Sequence, residues 1–548
     1  MTVSRRSLLG AAGAAGLIAG QAQAKAKTTK AKAPFQPSWE SLEANYKTPD
    51  WFRDAKFGIW AHWGPQCVPE FGDWYGRQMY QQGNPYYDHH VKTYGHPSEV
   101  GFMEFIKDWR VDKWDPDRLI GLYKGAGAKY FVSLANHHDN FDMFDSTYQP
   151  WNVTRLGPKR DVVGTWAKAA RAQGLRFGVS NHSAHAWHWW QTAYGYDPEG
   201  PKQGVRYDAF RLRKEDGKGK WWDGYDPQEL YTGPAGDFTP PDGITSIKAM
   251  QDYHDSHSGQ WLETPPPNNP YYVKKWLARA NDLVDKYRPD LVYYDDTTLP
   301  LEQAGLDATA HYYNQSYAWH GKLDVVATGK KLTEAQAHGI TEDIERGFSD
   351  HLRAQPWQTC TCIGNWHYDR RIYEQNRYKS GKSVLQRLTD VVSKNGNLLL
   401  SIPVRGNGEI DDKEEAVLAE LTAWMKVNGD AIFATRPWDI YGEGPFKVVE
   451  GMLNEDDAKP FTFEDIRFTT KHGALYAIAM EWPAGDSFVI RSLGTASPHN
   501  RGKIERVELL GHGAPLPFTQ DADGLKVKLP GDRPAAMPAL KIKGRGIA

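Results

Sequence analysis

Leu291-Val292-Tyr293-Tyr294-Asp295-Asp296 is the stretch that decides the fold, an apolar β-forming run that stops at two carboxylates. A strand with no polar alternation belongs inside a parallel sheet covered on both faces. Four other runs end in the same abrupt way. Phe57-Gly58-Ile59-Trp60-Ala61 meets His62-Trp63-Gly64, and Tyr130-Phe131-Val132-Ser133-Leu134 leads to Asn136-His137-His138-Asp139. Arg176-Phe177-Gly178-Val179 leads to Asn181-His182, and Leu398-Leu399-Leu400-Ser401-Ile402 ends at Pro403. Between them, Val273, Trp276, Leu277, Ala280, Leu283, Val284 and Tyr287 keep helical spacing, as do Val384, Leu385, Leu388, Val391 and Val392. Shorter helical patterns precede Gly125 and Gly174. Apolar strands alternating with amphipathic helices, with polar residues repeatedly at the strand ends, predict an α/β fold. The pattern suits a (β/α)8-type, TIM-like barrel better than an open doubly wound sheet, and places the chemistry at the C-terminal strand ends. No GxGxxG or GxxxxGK[ST] loop points to a nucleotide.

Beyond Pro437 the texture changes to short alternating runs, such as Asp465–Thr470, Ala474–Met480, Ser487–Ile490, Arg506–Leu510 and Leu525–Leu529. Gly, Asp and Pro punctuate them, which predicts a C-terminal antiparallel β-sandwich over 438–548. The barrel is expected over 40–437, with a Gly-, Pro- and Trp-rich insertion at about 195–270 that partly covers the site. At the other end, Arg5-Arg6 precedes a short apolar run to about Ala19 and a small-x-small Ala22-Gln23-Ala24. This reads as a twin-arginine export signal over 1–24, followed by a flexible tether over 25–39 and a periplasmic or secreted bacterial protein. No other apolar stretch approaches the roughly 20 residues of a membrane span.

The composition removes several function classes. With 66 Lys+Arg against 68 Asp+Glu, the chain has no basic field for nucleic acid. Cys67, Cys360 and Cys362 make neither a disulfide framework nor a paired-CxxC zinc site. The 22 Trp residues are an excess, and flat rings suit either a large core or the apolar faces of sugars. Trp63, Trp74 and Trp151, with Trp187, Trp189, Trp190, Trp221 and Trp222, are therefore expected to include ligand-facing rings.

His62, His137, His138, His182, His185, His188, Asp295 and Glu345 form the candidate chemical set. A zinc amidohydrolase would want His-x-His on the first strand, and a zincin would want HExxH; neither is present. A serine hydrolase would want a GxSxG elbow, also lacking. Carboxylates among imidazoles and indoles point instead to glycoside hydrolysis, with no metal or cofactor.

The segment Trp51-Phe52-Arg53-Asp54-Ala55-Lys56-Phe57-Gly58-Ile59-Trp60-Ala61-His62-Trp63-Gly64 resembles the opening strand of glycoside hydrolase family 29, the retaining α-L-fucosidases. Further matches follow in order: Asp73-Trp74-Tyr75, His137-His138-Asp139-Asn140-Phe141, Trp151-Asn152-Val153 and Pro289-Asp290-Leu291-Val292-Tyr293-Tyr294-Asp295. Ser393-Lys394-Asn395-Gly396-Asn397-Leu398-Leu399-Leu400 and Asn428-Gly429-Asp430 through Trp438 complete the series. The resemblance implies a barrel followed by a β-sandwich, acting on terminal fucosyl residues of glycans by double displacement. It implies Asp295 as nucleophile, His62, His137 and His138 as fucose-hydroxyl ligands, and Trp74 as pocket wall. Asp73 stands where many members carry Glu. Asn181-His182 replaces a Tyr-rich strand end, leaving His182 either a hydroxyl ligand or a turn cap.

The acid/base varies in position across the family. Glu345 is the first choice, with Glu342 and then Asp343 behind it. Pro356-Trp357-Gln358-Thr359-Cys360 resembles a segment in which several relatives carry Glu; an acid position at Gln358 would leave the enzyme crippled. Two further readings are a non-catalytic glycan-binding protein on a glycosidase barrel and an α-L-galactosidase of the same family.

Overall fold

Eight parallel strands line one ring: β1 (Phe57–Ala61), β2 (Tyr130–Asn136), β3 (Arg176–Asn181), β4 (Leu291–Thr297), β5 (Val326–Lys330), β6 (Thr341–Glu342), β7 (Trp357–Cys362) and β8 (Gly396–Ser401). They are seen in a computed structural model that describes residues 34–233, 238–257, 264–266 and 268–547. Neighbours pair in the order β6-β5-β4-β3-β2-β1-β8-β7, so the open edges are β6 and β7. A short seam closes them. Asp343 and Gln358 form a parallel bridge, the Ile344 N–H donates to the Gln358 carbonyl at 2.9 Å, and the Arg346 N–H donates to the Cys360 carbonyl at 2.8 Å.

The interior is filled by large rings and small gaps matched to each other. Trp60, Tyr130, Val132, Leu291, Tyr293, Val326, Cys360 and Leu399 pack as one buried cluster. A Cβ on Gly58 would sit 2.3 Å from the Tyr130 ring, so only glycine lets that ring lie across β1. The outer helices start as their sequences dictate. Asn269 caps Pro270–Tyr287 from its side chain with Pro at the first turn, Asp161 caps Val162–Ala172, and Ser380 caps Gly381–Ser393.

Gln358 belongs to the seam and not to a catalytic position. Its Nε2 donates to Asp343 Oδ2 at 2.8 Å, and Tyr130 donates its hydroxyl to Gln358 Oε1 at 2.9 Å. Tyr293 and Cys360 both donate to Asp343 Oδ1 at 3.1 Å. Burial, partly offset by the Gln358 hydrogen bond, raises the Asp343 pKa to about 6. An amide beside that carboxyl supplies a donor without a second charge.

After the barrel, β9 (Gly442–Glu443), β10 (Ile466–Lys471), β11 (Ala474–Ala479), β13 (Lys503–Leu509) and β16 (Ala539–Arg545) form a five-stranded antiparallel sheet, and β12 (Ser487–Ile490), β14 (Phe518–Gln520) and β15 (Leu525–Lys528) a three-stranded one. Trp438, Phe468, Leu475, Ile490, Val527 and Leu540 fill the space between them. From Phe35 onward the chain clusters as a single compact unit.

Three expectations change. The export signal over 1–24 lies outside the described residues, but the tether ends sooner than residue 39. Phe35 is buried, and its N–H and carbonyl both bond the Asn314 side chain, at 3.1 and 2.9 Å. Among the described residues the insertion does not border the site, since none of those in 195–270 lines the main cavity. The tryptophans mostly serve the core: Trp63, Trp151, Trp187, Trp189, Trp190 and Trp222 are all buried away from that cavity. Among the described residues no helix is long and apolar enough to cross a membrane.

Candidate active site

A cavity of about 1030 Å³ opens at the C-terminal ends of the strands, and its lining includes His62, Asp73, Trp74, His137, His138, His182, Asp295 and Glu345. Eight of the residues singled out in the sequence therefore meet in one place, whereas His185 and His188 are buried outside its lining. Five of the eight arrive by their strands. His62 follows β1, His137 and His138 follow β2, His182 follows β3, and Asp295 lies within β4. The β4–β5 register shifts between Tyr293 and Thr297, a local irregularity that turns Asp295 toward the mouth. Asp296 lies against His185 Nε2 at 3.0 Å and is buried there.

Asp295 is the electrostatic centre. His182 Nδ1 stands 3.0 Å from its Oδ2 and His138 Nε2 stands 3.5 Å from the same atom. Lys330, the last residue of β5, donates from one Nζ to Asp295 Oδ1 and, at 2.6 Å, to Glu345 Oε2. Burial alone would raise the Asp295 pKa; the Lys330 ammonium and His182 outweigh it and hold the carboxyl well below its ordinary range. The same exchange works in reverse on Lys330. Burial lowers its pKa, but the two carboxylates more than compensate and keep it cationic. Two oxygens accepting from one nitrogen cannot lie farther apart than the two bonds together, about 5 Å, which is short of the roughly 6.5–9.5 Å of an inverting glycosidase pair.

Three of the site histidines are neutral by environment. Burial and then neighbouring imidazoles push His62 and His137 well below the ordinary histidine range, and burial does the same to His138. His138 Nδ1 donates to the His182 carbonyl at 2.8 Å, so the neutral ring offers Nε2 as an acceptor. His62 Nδ1 is fixed by Ser401 Oγ at 3.0 Å, and His137 Nδ1 by Gln66 Nε2 at 2.9 Å. One nitrogen of each ring is thus engaged by the frame, the arrangement that aims a neutral imidazole at hydroxyl groups. Ligand atoms of His137, His138 and His182 also lie within 4.8 Å of one another and could hold a metal ion, with Asp295 beside them.

Asp73 lines the cavity but its carboxylate is used on a loop. It accepts from the backbone N–H of His367 at 2.7 Å and of Trp366 at 3.1 Å. Trp366 is thereby set with its ring 5.0 Å from that of His62. Trp74 has a left-handed backbone, φ 62°, and its ring stands edge-on to His138 at 5.8 Å. Of the acid candidates, Asp343 is in the barrel seam. Glu342 is paired with Arg353 and accepts from the Leu332 N–H at 3.3 Å. Glu345 alone shares a partner with Asp295.

Sequence reasoning missed Lys330, Trp60, Tyr293 and Trp366, all of which line the cavity. Lys330 was hidden because Val326-Ala327-Thr328-Gly329-Lys330 has no clean apolar run to mark a strand. Its signal was the cation itself, placed between two candidate carboxylates in sequence.

Comparison with known proteins agrees with this arrangement. A family model described as Alpha-L-fucosidase matches residues 22–430, and one described as Alpha-L-fucosidase C-terminal domain matches 459–543. Tissue alpha-L-fucosidase of Rattus norvegicus is 25% identical over 513 residues, covering 92% of this chain and 90% of that protein. Plasma alpha-L-fucosidase of Homo sapiens is 26% identical over 509 residues, covering 90% of this chain and 88% of that one. Among solved structures, Thermotoga maritima alpha-fucosidase in complex with fucose superposes with a TM-score of 0.66 at 25% identity, covering 93% of this chain and all of that chain. The same enzyme in complex with a mechanism-based inhibitor gives 0.66 at 26% identity, covering 93% and 99%.

Proposed function

This chain belongs to the alpha-L-fucosidase family, and we propose that it is an exo-acting, retaining α-L-fucosidase that releases terminal fucose from glycans. The observation that carries this reading is the single ammonium of Lys330 between Asp295 and Glu345. Asp295, ionised and rigidly held at a strand end, attacks the anomeric carbon while Glu345 protonates the departing oxygen. His62, His137, His138 and His182 meet the sugar hydroxyls, and Trp74 walls the ring. In the glycosyl-enzyme Asp295 is an ester and carries no charge. Lys330 then bonds Glu345 alone, which serves the second step as general base. Water attacks, the ester breaks, and fucose leaves with its configuration kept.

The placement of Gln358 in the barrel seam supports a catalytic protein over a sugar-binding one, because it removes the reason to suspect a lost acid. Export by the twin-arginine route to the periplasm or beyond is part of the proposal and rests on Arg5-Arg6 and the apolar run behind them. The division into a catalytic part at 40–437 and a bracing sandwich at 438–548 is likewise proposed.

The test is an Asp295→Ala variant with added azide. Azide should take the vacated face and give a fucosyl azide of inverted anomeric configuration. Substantial turnover without azide would remove Asp295 from the mechanism.

A further inference from the structure

The group attached to fucose must leave on the Glu345 side of the cavity, because that carboxyl protonates the bond being broken. The chain bordering Glu345 there comes from beyond the barrel. Phe348 and Gly451 exchange two backbone hydrogen bonds of 3.1 Å, and the Leu453 N–H donates to the Glu345 carbonyl at 2.9 Å. The N–H groups of Asn454 and Glu455 both donate to the Arg346 carbonyl, at 3.1 and 3.0 Å. Ion pairs fix both ends of this strap. Arg353 meets Glu450 at 3.0 Å, while Glu455 is held by Arg346 at 2.6 Å and Lys379 at 2.7 Å.

Between those pins the strap presents Met452 and Leu453 to the cavity, beside Leu332. Leu453 is 66% exposed and has φ 57°, a left-handed conformation uncommon for a bulky residue. A leucine held there gains little from burial, and the backbone strain is maintained by the surrounding bonds. Strain of that kind gathers where a ligand is handled. The cavity, at about 1030 Å³, lies at the upper end of the size of ligand pockets and has room beyond one sugar ring. Of the cations lining the cavity, Arg353 is engaged by Glu342 and Glu450 and Lys330 by Asp295 and Glu345, and Lys331 stands beside Leu332.

We propose that Met452 and Leu453 form the contact surface of the leaving-group subsite and select a leaving group with an apolar face, such as the C–H face of a pyranose or an aryl ring. The inference rests on the fucosidase reading above. It makes the post-barrel strap a specificity element, tied through its backbone to the acid residue it serves.

Leu453→Asn tests it, since asparagine accepts the left-handed backbone but removes the apolar surface. The kcat/KM for 4-nitrophenyl α-L-fucoside is compared with that for α-L-fucosyl fluoride, whose leaving group is one atom and cannot reach the strap. The aryl-to-fluoride ratio should fall about tenfold in the variant, chiefly through KM. An unchanged ratio overturns the proposal. Absence of fluoride turnover by the unsubstituted protein would overturn the fucosidase reading and this inference with it.

Discussion

Asp295 and Glu345 share one ammonium but are held by different kinds of backbone. Asp295 stands within β4, paired on one side to β3 and on the other to β5, and buried among His138, His182 and Lys330. Glu345 stands after a two-residue strand, β6, in the seam where the barrel closes without a full ladder. Its neighbours are the Cys360 carbonyl, reached through Arg346, and a strap from about a hundred residues later. A regular strand end fixes a nucleophile with local sequence alone. The acid is fixed by pieces brought together only in the finished fold.

That contrast can be broken at either carboxylate. Asp295→Ala should lower kcat/KM by about 10⁴-fold or more on every fucoside, since no later step proceeds without the covalent bond. Glu345→Ala should cost about 10²–10⁴-fold on poor leaving groups and much less on activated aryl fucosides, because an activated oxygen departs without a proton. Steady-state kinetics across a leaving-group series checks both; equal losses on all substrates would take Glu345 out of the acid role.

The seam itself can be stressed next. Gln358→Glu would set a second carboxyl against Asp343 inside the barrel, where the amide now donates at 2.8 Å. Asp343 already has a folded pKa raised to about 6, above the unfolded value of about 3.9. Its contribution is therefore intact below the unfolded value and lost as pH rises through about 6. The variant should be destabilised by about 3 kcal/mol at pH 8 and by less at pH 5, read from urea midpoints at the two pH values. A gain in activity with unchanged stability would instead show that Gln358 belongs to the site.

The smallest expected effect concerns the shared ammonium. Lys330 depresses the Asp295 pKa, so Lys330→Met should raise it and move the acid limb of kcat/KM to higher pH. An acid limb that stays in place would mean that Lys330 does not set the ionisation of Asp295.

Much of this site was legible because its residues follow strands that announce themselves. His62, His137, His138, His182 and Asp295 each end or follow an apolar run, and the helices between those runs are regular enough to read. What stayed hidden shares the opposite character. β5 ends in Thr328-Gly329-Lys330, β6 has two residues, and β7 reads Trp357-Gln358-Thr359-Cys360-Thr361-Cys362 with polar side chains in a closed interior. The tryptophans misled for a physical reason. An indole gains as much from a core as from a sugar face, so composition cannot separate Trp189, which is buried, from Trp74, which lines the cavity. Met452 and Leu453 carry no signal at all until the strap is seen against Glu345.

The most direct measurement is the anomeric configuration of the first product, followed by proton NMR as an aryl α-L-fucoside is hydrolysed. Two carboxylates sharing Lys330 predict α-L-fucose first, with the β anomer growing in only by mutarotation. Appearance of β-L-fucose as the first product would contradict the covalent role of Asp295 and the short spacing on which this mechanism stands.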